Sequence, residues 1–220
     1  MKKLSVIALM SISSLSMAQL FSGSGTGGAI PDGAGSATPG TALTSTVTVP
    51  GSFSNPIAEV WIDFSGLAHT WAGDLTIRLI APNSTALDIL SRPGRGSAST
   101  FGFNTDFDGV SAYGFRDSGA DLFATTPPAI IPGGVYRSST NPNPPGTNAS
   151  AWSYMATSFN VFNGMSAVGT WTIELTDWAG GDVGSMNGWT LNVQAVPEPS
   201  TMIALGAGAL ALLRRRRKAA

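Results

Sequence analysis

The stretch Ile57–Pro82, IAEVWIDFSGLAHTWAGDLTIRLIAP, decides the fold. It holds two runs of alternating character, joined by a polar corner that carries His69, the one histidine of the 220-residue chain. In the first run Ile57, Glu59, Trp61 and Asp63 share one face, and Ala58, Val60, Ile62 and Phe64 the other. In the second, Leu75, Ile77 and Leu79 oppose Asp74, Thr76, Arg78 and Ile80. Successive side chains of a strand point to opposite faces, so this is the pattern of half-buried antiparallel strands. The corner from Ser65 to Asp74 raises a chemical question: His69, flanked in sequence by Asp63 and Asp74, either performs catalysis or holds strands together.

Outward from this hairpin the same period recurs. Thr44–Val49 is a β-branched run ended by Pro50-Gly51, and the Ala81–Thr85 turn leads into Ala86–Leu90 as a partner strand. Phe101–Phe123 alternates aromatic and acidic residues, with Tyr113–Asp117 its clearest strand. Thr125–Ala151, rich in proline, glycine, serine and asparagine, reads as a long surface loop. Phe159–Phe162 leads to a last pair of strands, Gly169–Asp177 and Gly188–Val193, with Trp178–Asn187 between them. No stretch between the chain's ends has a 3.6-residue period. Eight or nine short strands at this spacing predict an all-β jelly-roll sandwich over residues 41–195. Residues 19–40 are glycine-rich and poor in hydrophobics, which predicts a flexible lead-in with a first edge contact near Ile30-Pro31-Asp32.

The two ends read as addresses. Met1–Ala18 has the form of a signal peptide: Lys2 and Lys3, a short apolar core, then Ser16-Met17-Ala18 before Gln19. At the other end Val196-Pro197-Glu198-Pro199-Ser200 precedes an apolar run from Thr201 to Leu213 and the cluster Arg214–Lys218. Thirteen residues rise about 20 Å as a helix, short of the roughly 30 Å hydrocarbon core. The basic cluster stays cytoplasmic and snorkels, which makes a marginal, transient inner-membrane anchor. This order of parts resembles the PEP-CTERM sorting signal of Gram-negative bacteria, with Pro197, Glu198 and Pro199 as the motif and 196–220 as the whole signal. The resemblance implies processing by an exosortase, after signal peptidase, and release to the cell surface or the exopolysaccharide matrix.

Between the ends, residues 19–195 hold five arginines and no lysine against twelve carboxylates, a formal balance of −7 where the whole chain stands at −1. Such a surface has nothing to neutralise phosphates, which excludes nucleic acid; cations or neutral glycans fit better. The chain has no cysteine, so an exported domain must be stabilised by core packing, with or without bound ions.

The residue types narrow the chemistry available to the chain. A Ser-His-Asp triad needs a histidine held by a carboxylate and facing a nucleophile, and only His69 is available, so no catalytic residue is assigned. One histidine without cysteine does not build a zinc site. Carboxylate pairs for glycoside hydrolysis exist among Asp106, Asp108, Glu174 and Asp177, but the spacing singles out none. Asp106-Phe107-Asp108-Gly109 sets two carboxylates before a turn, a form able to wrap calcium, with Asp182 and Asp74 as further candidate ligands. Of the tryptophans, Trp61, Trp171 and Trp189 lie within strands and are expected in the core. Trp71 and Trp178 sit in corners and are the candidate glycan platforms, while Trp152 is left open.

Three pieces together resemble the P (Homo B) domain of proprotein convertases and kexin-like proteases. They are His69-Thr70-Trp71-Ala72-Gly73-Asp74-Leu75, Tyr113-Gly114-Phe115-Arg116-Asp117, and the closing Gly169-Thr170-Trp171, Asp177, Gly181-Asp182-Val183-Gly184 and Trp189-Thr190-Leu191. The resemblance implies a jelly roll of eight or nine strands that accompanies and stabilises a subtilisin-like catalytic domain. It implies no catalytic role for the histidine and admits calcium. No subtilisin-like catalytic segment stands beside these pieces, so a label of serine endopeptidase activity would describe the domain's usual neighbour. The expectation is a non-catalytic surface or matrix module. The alternatives are a glycan-binding module using Trp71 and Trp178, or an accessory domain for a separately encoded protease.

Overall fold

The computed structural model describes residues 18–35, 38–94, 101–122, 127–140 and 158–196. Most of the signal-peptide segment, Pro197, Glu198 and Pro199, the apolar run from Thr201 to Leu213 and Trp152 lie outside the described residues. Within them the chain is all-β, a sandwich of two curled sheets, as the alternation predicts.

Twelve strands are present among the described residues: β1 (Leu20–Ile30), β2 (Leu43–Val49), β3 (Ile57–Ser65), β4 (Ala68–His69), β5 (Leu75–Ile80), β6 (Ala86–Ser91), β7 (Phe107–Asp108), β8 (Tyr113–Ala120), β9 (Gly134–Tyr136), β10 (Ser139–Thr140), β11 (Gly169–Asp177) and β12 (Gly184–Ala195). One sheet has seven strands in the order β7-β4-β12-β3-β8-β9, with β1 on the free side of β12; the other has five, β10-β6-β5-β11-β2. The inner faces meet in a core that includes Val60, Ile62, Phe64, Leu191 and Val193 from the larger sheet and Ile77, Leu79, Trp171 and Ile173 from the smaller. Fully burying a large aliphatic or aromatic side chain is worth about 1.5–3 kcal/mol, so this interlayer is the main source of stability.

β12 is the spine. Along one side it pairs with the whole of β1, from Leu20↔Gln194 to Ile30↔Gly184. Along the other it pairs with β3, from Ser65↔Gly188 to Ile57↔Ala195, and then with β4 through His69↔Gly184. The backbone N–H of Ala195 donates to Gln19 O at 2.8 Å, and that of Val196 to Pro56 O at 2.8 Å. The chain therefore enters and leaves the sandwich at one place.

The structure corrects four expectations. Residues 20–30 are a strand and not a flexible lead-in. Their glycines are there for close approach: a Cβ on Gly25 would lie 2.2 Å from Trp189 Nε1, and one on Gly27 would lie 2.0 Å from Met186 O. Ile57 is buried although it opens the outward-facing series, because a bulge at the Gln194/Ala195 step reverses the facing at the start of β3. The long proline-rich loop contains β9 and β10, short strands that pair parallel with β8 and β6. Finally, β12 starts at Gly184, four residues before the expected Gly188.

Candidate functional site

The corner around His69 is a buried polar lock. β4 and a 3₁₀ turn over Ala72–Asp74 carry the chain from the larger sheet into β5 of the smaller, so the corner bridges the two layers. His69 is 1% exposed. Its Nδ1 accepts the backbone N–H of Trp71 at 3.1 Å, which fixes the ring proton on Nε2, and Nε2 donates to Asp177 Oδ2 at 3.2 Å. Asp177 Oδ1 accepts the N–H of Ala179 at 3.1 Å. Both ring nitrogens are thus committed, and the partner carboxylate comes from the end of β11, neither from Asp63 nor from Asp74.

Asp74 belongs to a second buried pair. Arg92 Nη2 donates to Asp74 Oδ1 at 2.6 Å, and Arg92 Nε to Gly73 O at 3.3 Å. Asp74 Oδ2 is buried without a hydrogen-bond partner. Burial pushes the Asp74 carboxyl up to about 6 against the pull of Arg92, and the nearby Asp177 and Asp182 carboxylates push the same way. Trp178 closes this pair from above: it is 2% exposed, its N–H donates to Asp74 O at 3.0 Å and its Nε1 to Thr76 Oγ1 at 3.1 Å. The Arg92 guanidinium lies 5.8 Å from its ring centroid. Trp178 is consequently no glycan platform; the backbone bond beside Asp177 turns its indole inward.

A groove of about 400 Å³ runs beside the corner, lined among others by Ala68, Thr70, Asp106, Asp108, Ile130 and Val183. Asp106 and Asp108, two residues apart on the same edge, both reach it. Asp108 is already saturated: its Oδ1 accepts N–H groups from Val110 and Ser111 and the Tyr113 hydroxyl, and its Oδ2 accepts the Ser111 hydroxyl at 2.7 Å. The Ser111 hydroxyl first, and these backbone donors, hold its carboxyl down at about 2. Asp182 accepts from the Thr70 hydroxyl at 3.0 Å, and that same oxygen accepts the Val183 N–H at 3.1 Å. The four aspartates considered for calcium therefore do not form one donor set: Asp74 faces a guanidinium, Asp108 a turn, and Asp182 a threonine. Among the described residues no three acidic or histidine side chains converge on a point. Of the carboxylates considered for glycoside hydrolysis, Asp177 is committed to His69, and Glu174 stands opposite Arg78 in the five-stranded sheet.

The remaining tryptophans divide differently from the expectation. Trp171 and Trp189 are buried, with Trp171 Nε1 bonded to Ala167 O and Trp189 Nε1 to Ser45 Oγ. Trp71 is half-buried, its Nε1 donating to Phe101 O at 2.8 Å and its ring edge-on to Phe101. Trp61, expected in the core, is half-buried on the outer face of the seven-stranded sheet with the Arg116 guanidinium 5.1 Å from its ring centroid. Its place opposite Val60 and Ile62 in the alternation is the signal for that orientation.

Comparison with known proteins gives two matched segments. A sequence model of the proprotein convertase P-domain matches residues 130–193, and one of the PEP-CTERM protein-sorting motif matches 195–218. The first takes in Asp177, Trp178 and Asp182 and ends inside β12; the second begins at the last residue of that strand. No curated protein matches the chain. Among solved structures, the serine protease of Aeromonas sobria is 16% identical, with 81% of this chain and 27% of that chain covered and a TM-score of 0.37. The same organism's serine protease in complex with the chaperone ORF2 is 15% identical, with coverages of 82% and 28% and a TM-score of 0.34. The chain spans just over a quarter of the length of those proteins.

Proposed function

We propose that the chain is an exported, non-catalytic P-domain-type module, delivered through its sorting motif to the cell surface or extracellular matrix of a Gram-negative bacterium. The observation that carries the non-catalytic reading is the state of His69. A general base must offer a free nitrogen to a nucleophile or to water. His69 is buried, with one nitrogen on a backbone N–H and the other on Asp177. Delivery is supported by the PEP-CTERM match at 195–218, and on this reading signal peptidase and an exosortase act on the chain during processing.

A second reading, an accessory domain for a separately encoded subtilisin-like protease, is favoured by the apolar rim of the groove. Ile130 and Val183 are 55% and 69% exposed there, and Val110, in the turn after Asp108, is 88% exposed. Exposed aliphatics gathered around a concavity are the form of a protein contact.

The test has two arms. The purified chain, assayed on casein and on fluorogenic peptides, is expected to show no hydrolysis above buffer; turnover that disappears in His69→Ala would overturn the non-catalytic reading. In the native host, deleting the exosortase is expected to trap the protein in the membrane fraction, as is Glu198→Ala. Unchanged release in both strains would overturn the sorting reading. Co-purification with a protease that is lost in Val183→Asp would establish the accessory role.

A further inference from the structure

We infer that the outer face of the seven-stranded sheet, centred on Trp61 and Arg116, is a binding site for a carboxylated polysaccharide, a chain containing uronic-acid residues. The inference depends on the extracellular destination but not on the role of the His69 corner.

Two rows of side chains cross this face in strand register. One is Ser22, Asn192 and Trp61, with Arg116 stacked on the indole. The other is Ser24, Thr190, Asp63, Gly114 and Val135, across β1, β12, β3, β8 and β9. Strands lie about 4.8 Å apart, so the second row is roughly 19 Å long. Ser22 donates to Asn192 Oδ1 at 2.8 Å and Asn192 Nδ2 to Asp63 Oδ2 at 2.9 Å, which holds the polar groups of both rows in fixed orientation.

The second row has a gap. A Cβ on Gly114 would lie 2.7 Å from Asp63 Oδ1 and 3.5 Å from a Val135 methyl. With Gly133 and Gly134 beside it, the missing side chain leaves a hollow of about 340 Å³, walled by Asp63, Tyr113 and Val135. Asp63 Oδ1 faces this hollow as an acceptor while Oδ2 is occupied by Asn192.

Charge selects the ligand. Among the described residues Arg78, Arg92 and Arg137 each pair with an aspartate, to Asp88, Asp74 and Asp121. Arg116 pairs with none, and its Nε is buried without a hydrogen-bond partner. In a domain whose balance is −7 this cation has no carboxylate partner; it is held over Trp61 by cation–π attraction, with its Nε buried and its terminal Nη groups left for a ligand. A guanidinium fork matches a carboxylate in bidentate geometry. Asp63 and Glu59 stand in the rows on either side without reaching it. As ionised carboxylates they are acceptors for the hydroxyls of a sugar ring whose own carboxylate lies on Arg116.

A protein partner fits this face poorly. Protein interfaces have an apolar centre enriched in aromatics, whereas this face offers hydroxyls, a carboxylate and glycine around a single indole. Hydroxyl-rich rings carrying a carboxylate complement that set.

The experiment titrates oligogalacturonate and, separately, cellohexaose into the purified chain, read by calorimetry and tryptophan fluorescence. The expected result is binding of the carboxylated oligomer at least tenfold tighter than the neutral one. Arg116→Gln should weaken it at least tenfold, and Arg116→Lys should do so severalfold by losing the fork. Thr190→Val and Gly114→Ala, which take a hydroxyl from the row and fill the hollow, should each weaken it severalfold, with melting curves showing that every variant is folded. Binding unchanged in Arg116→Gln, equal binding of the two oligomers, or no binding of either by the folded chain would overturn the inference. None of these outcomes touches the sorting assay, so the two readings fail separately.

Discussion

His69 and Asp177, 108 residues apart in sequence, meet at 3.2 Å with both side chains out of reach of solvent. The bond ties the corner before β5 to the end of β11, and so the larger sheet to the smaller. His69→Ala strands a buried carboxylate oxygen and opens a void. Losing one partner of such a pair costs about 2–4 kcal/mol. For a domain of this size that is a fall of roughly 5–15 °C in melting temperature. Thermal denaturation followed by circular dichroism checks this, and glycan binding at the outer face should persist in the variant.

Two aspartates tilt the pH profile in opposite directions. Asp74, raised from 3.8 to about 6, binds its proton more tightly in the folded chain. Its contribution is full below about pH 4 and is lost as pH rises through 6. Asp108, lowered from 3.8 to about 2, stabilises above pH 4 and loses that contribution as pH falls towards 2. The melting temperature of Asp108→Asn should therefore trail the parent at pH 5 and converge on it at pH 2. In Asp74→Asn the decline between pH 4 and 6 should flatten. A constant gap across the range for Asp108→Asn would contradict the assignment.

The opening strand makes a sharp test of its glycines. Gly25→Ala puts a methyl 2.2 Å from Trp189 Nε1 and 2.9 Å from Ser45 Oγ, the two atoms that bond each other at 2.9 Å. Overpacking of this kind costs about 1–3 kcal/mol. The expected readout is a lower melting midpoint with a red-shifted tryptophan emission as Trp189 is exposed. A flexible lead-in would give no change in either.

Calcium should leave stability where it is. Three of the four candidate carboxylates already have fixed partners, Arg92 for Asp74, the 108–113 turn for Asp108 and Thr70 for Asp182. Melting with millimolar calcium and with chelator is expected to give midpoints within about 1 °C, well inside the shift that 1 kcal/mol produces. A rise of several degrees that vanishes in Asp106→Asn would instead establish a site at the groove.

Much of the architecture was legible in the alternation: β2, β3, β5, β6, β8 and β11 all lie where apolar residues recur at every second position. β1 was not, because its period is one of size. Ser22, Ser24 and Thr26 point out while Gly23, Gly25 and Gly27 point in, so no hydrophobic signal exists to be read. The lock at His69 was half visible. Its histidine stands out as the only one in the chain, but nearness in sequence favours Asp63 and Asp74, while the bond is made by a residue that only the strand order of the smaller sheet brings alongside. Trp178 misled for a related reason: position in a corner indicates exposure only when the backbone there is not itself tied to a buried group. Trp61 and Arg116 were a matter of phase, both being set by which face Val60, Ile62 and Phe115 occupy.

That the chain enters at Gln19 and leaves at Val196 side by side has a mechanical consequence. Antiparallel hydrogen bonds run perpendicular to their strands. Tension between the two ends would therefore peel β1 from β12 one bond at a time, a weak mode. Tension between the exit and a ligand held on the outer face runs along β12 and loads its flanking ladders together in shear. A protein tethered through residues beyond 195 and gripped across β12, β3 and β8 would bear load in its stronger direction, while the His69 corner sits roughly 40 Å from the tether, at the other end of a twelve-residue strand.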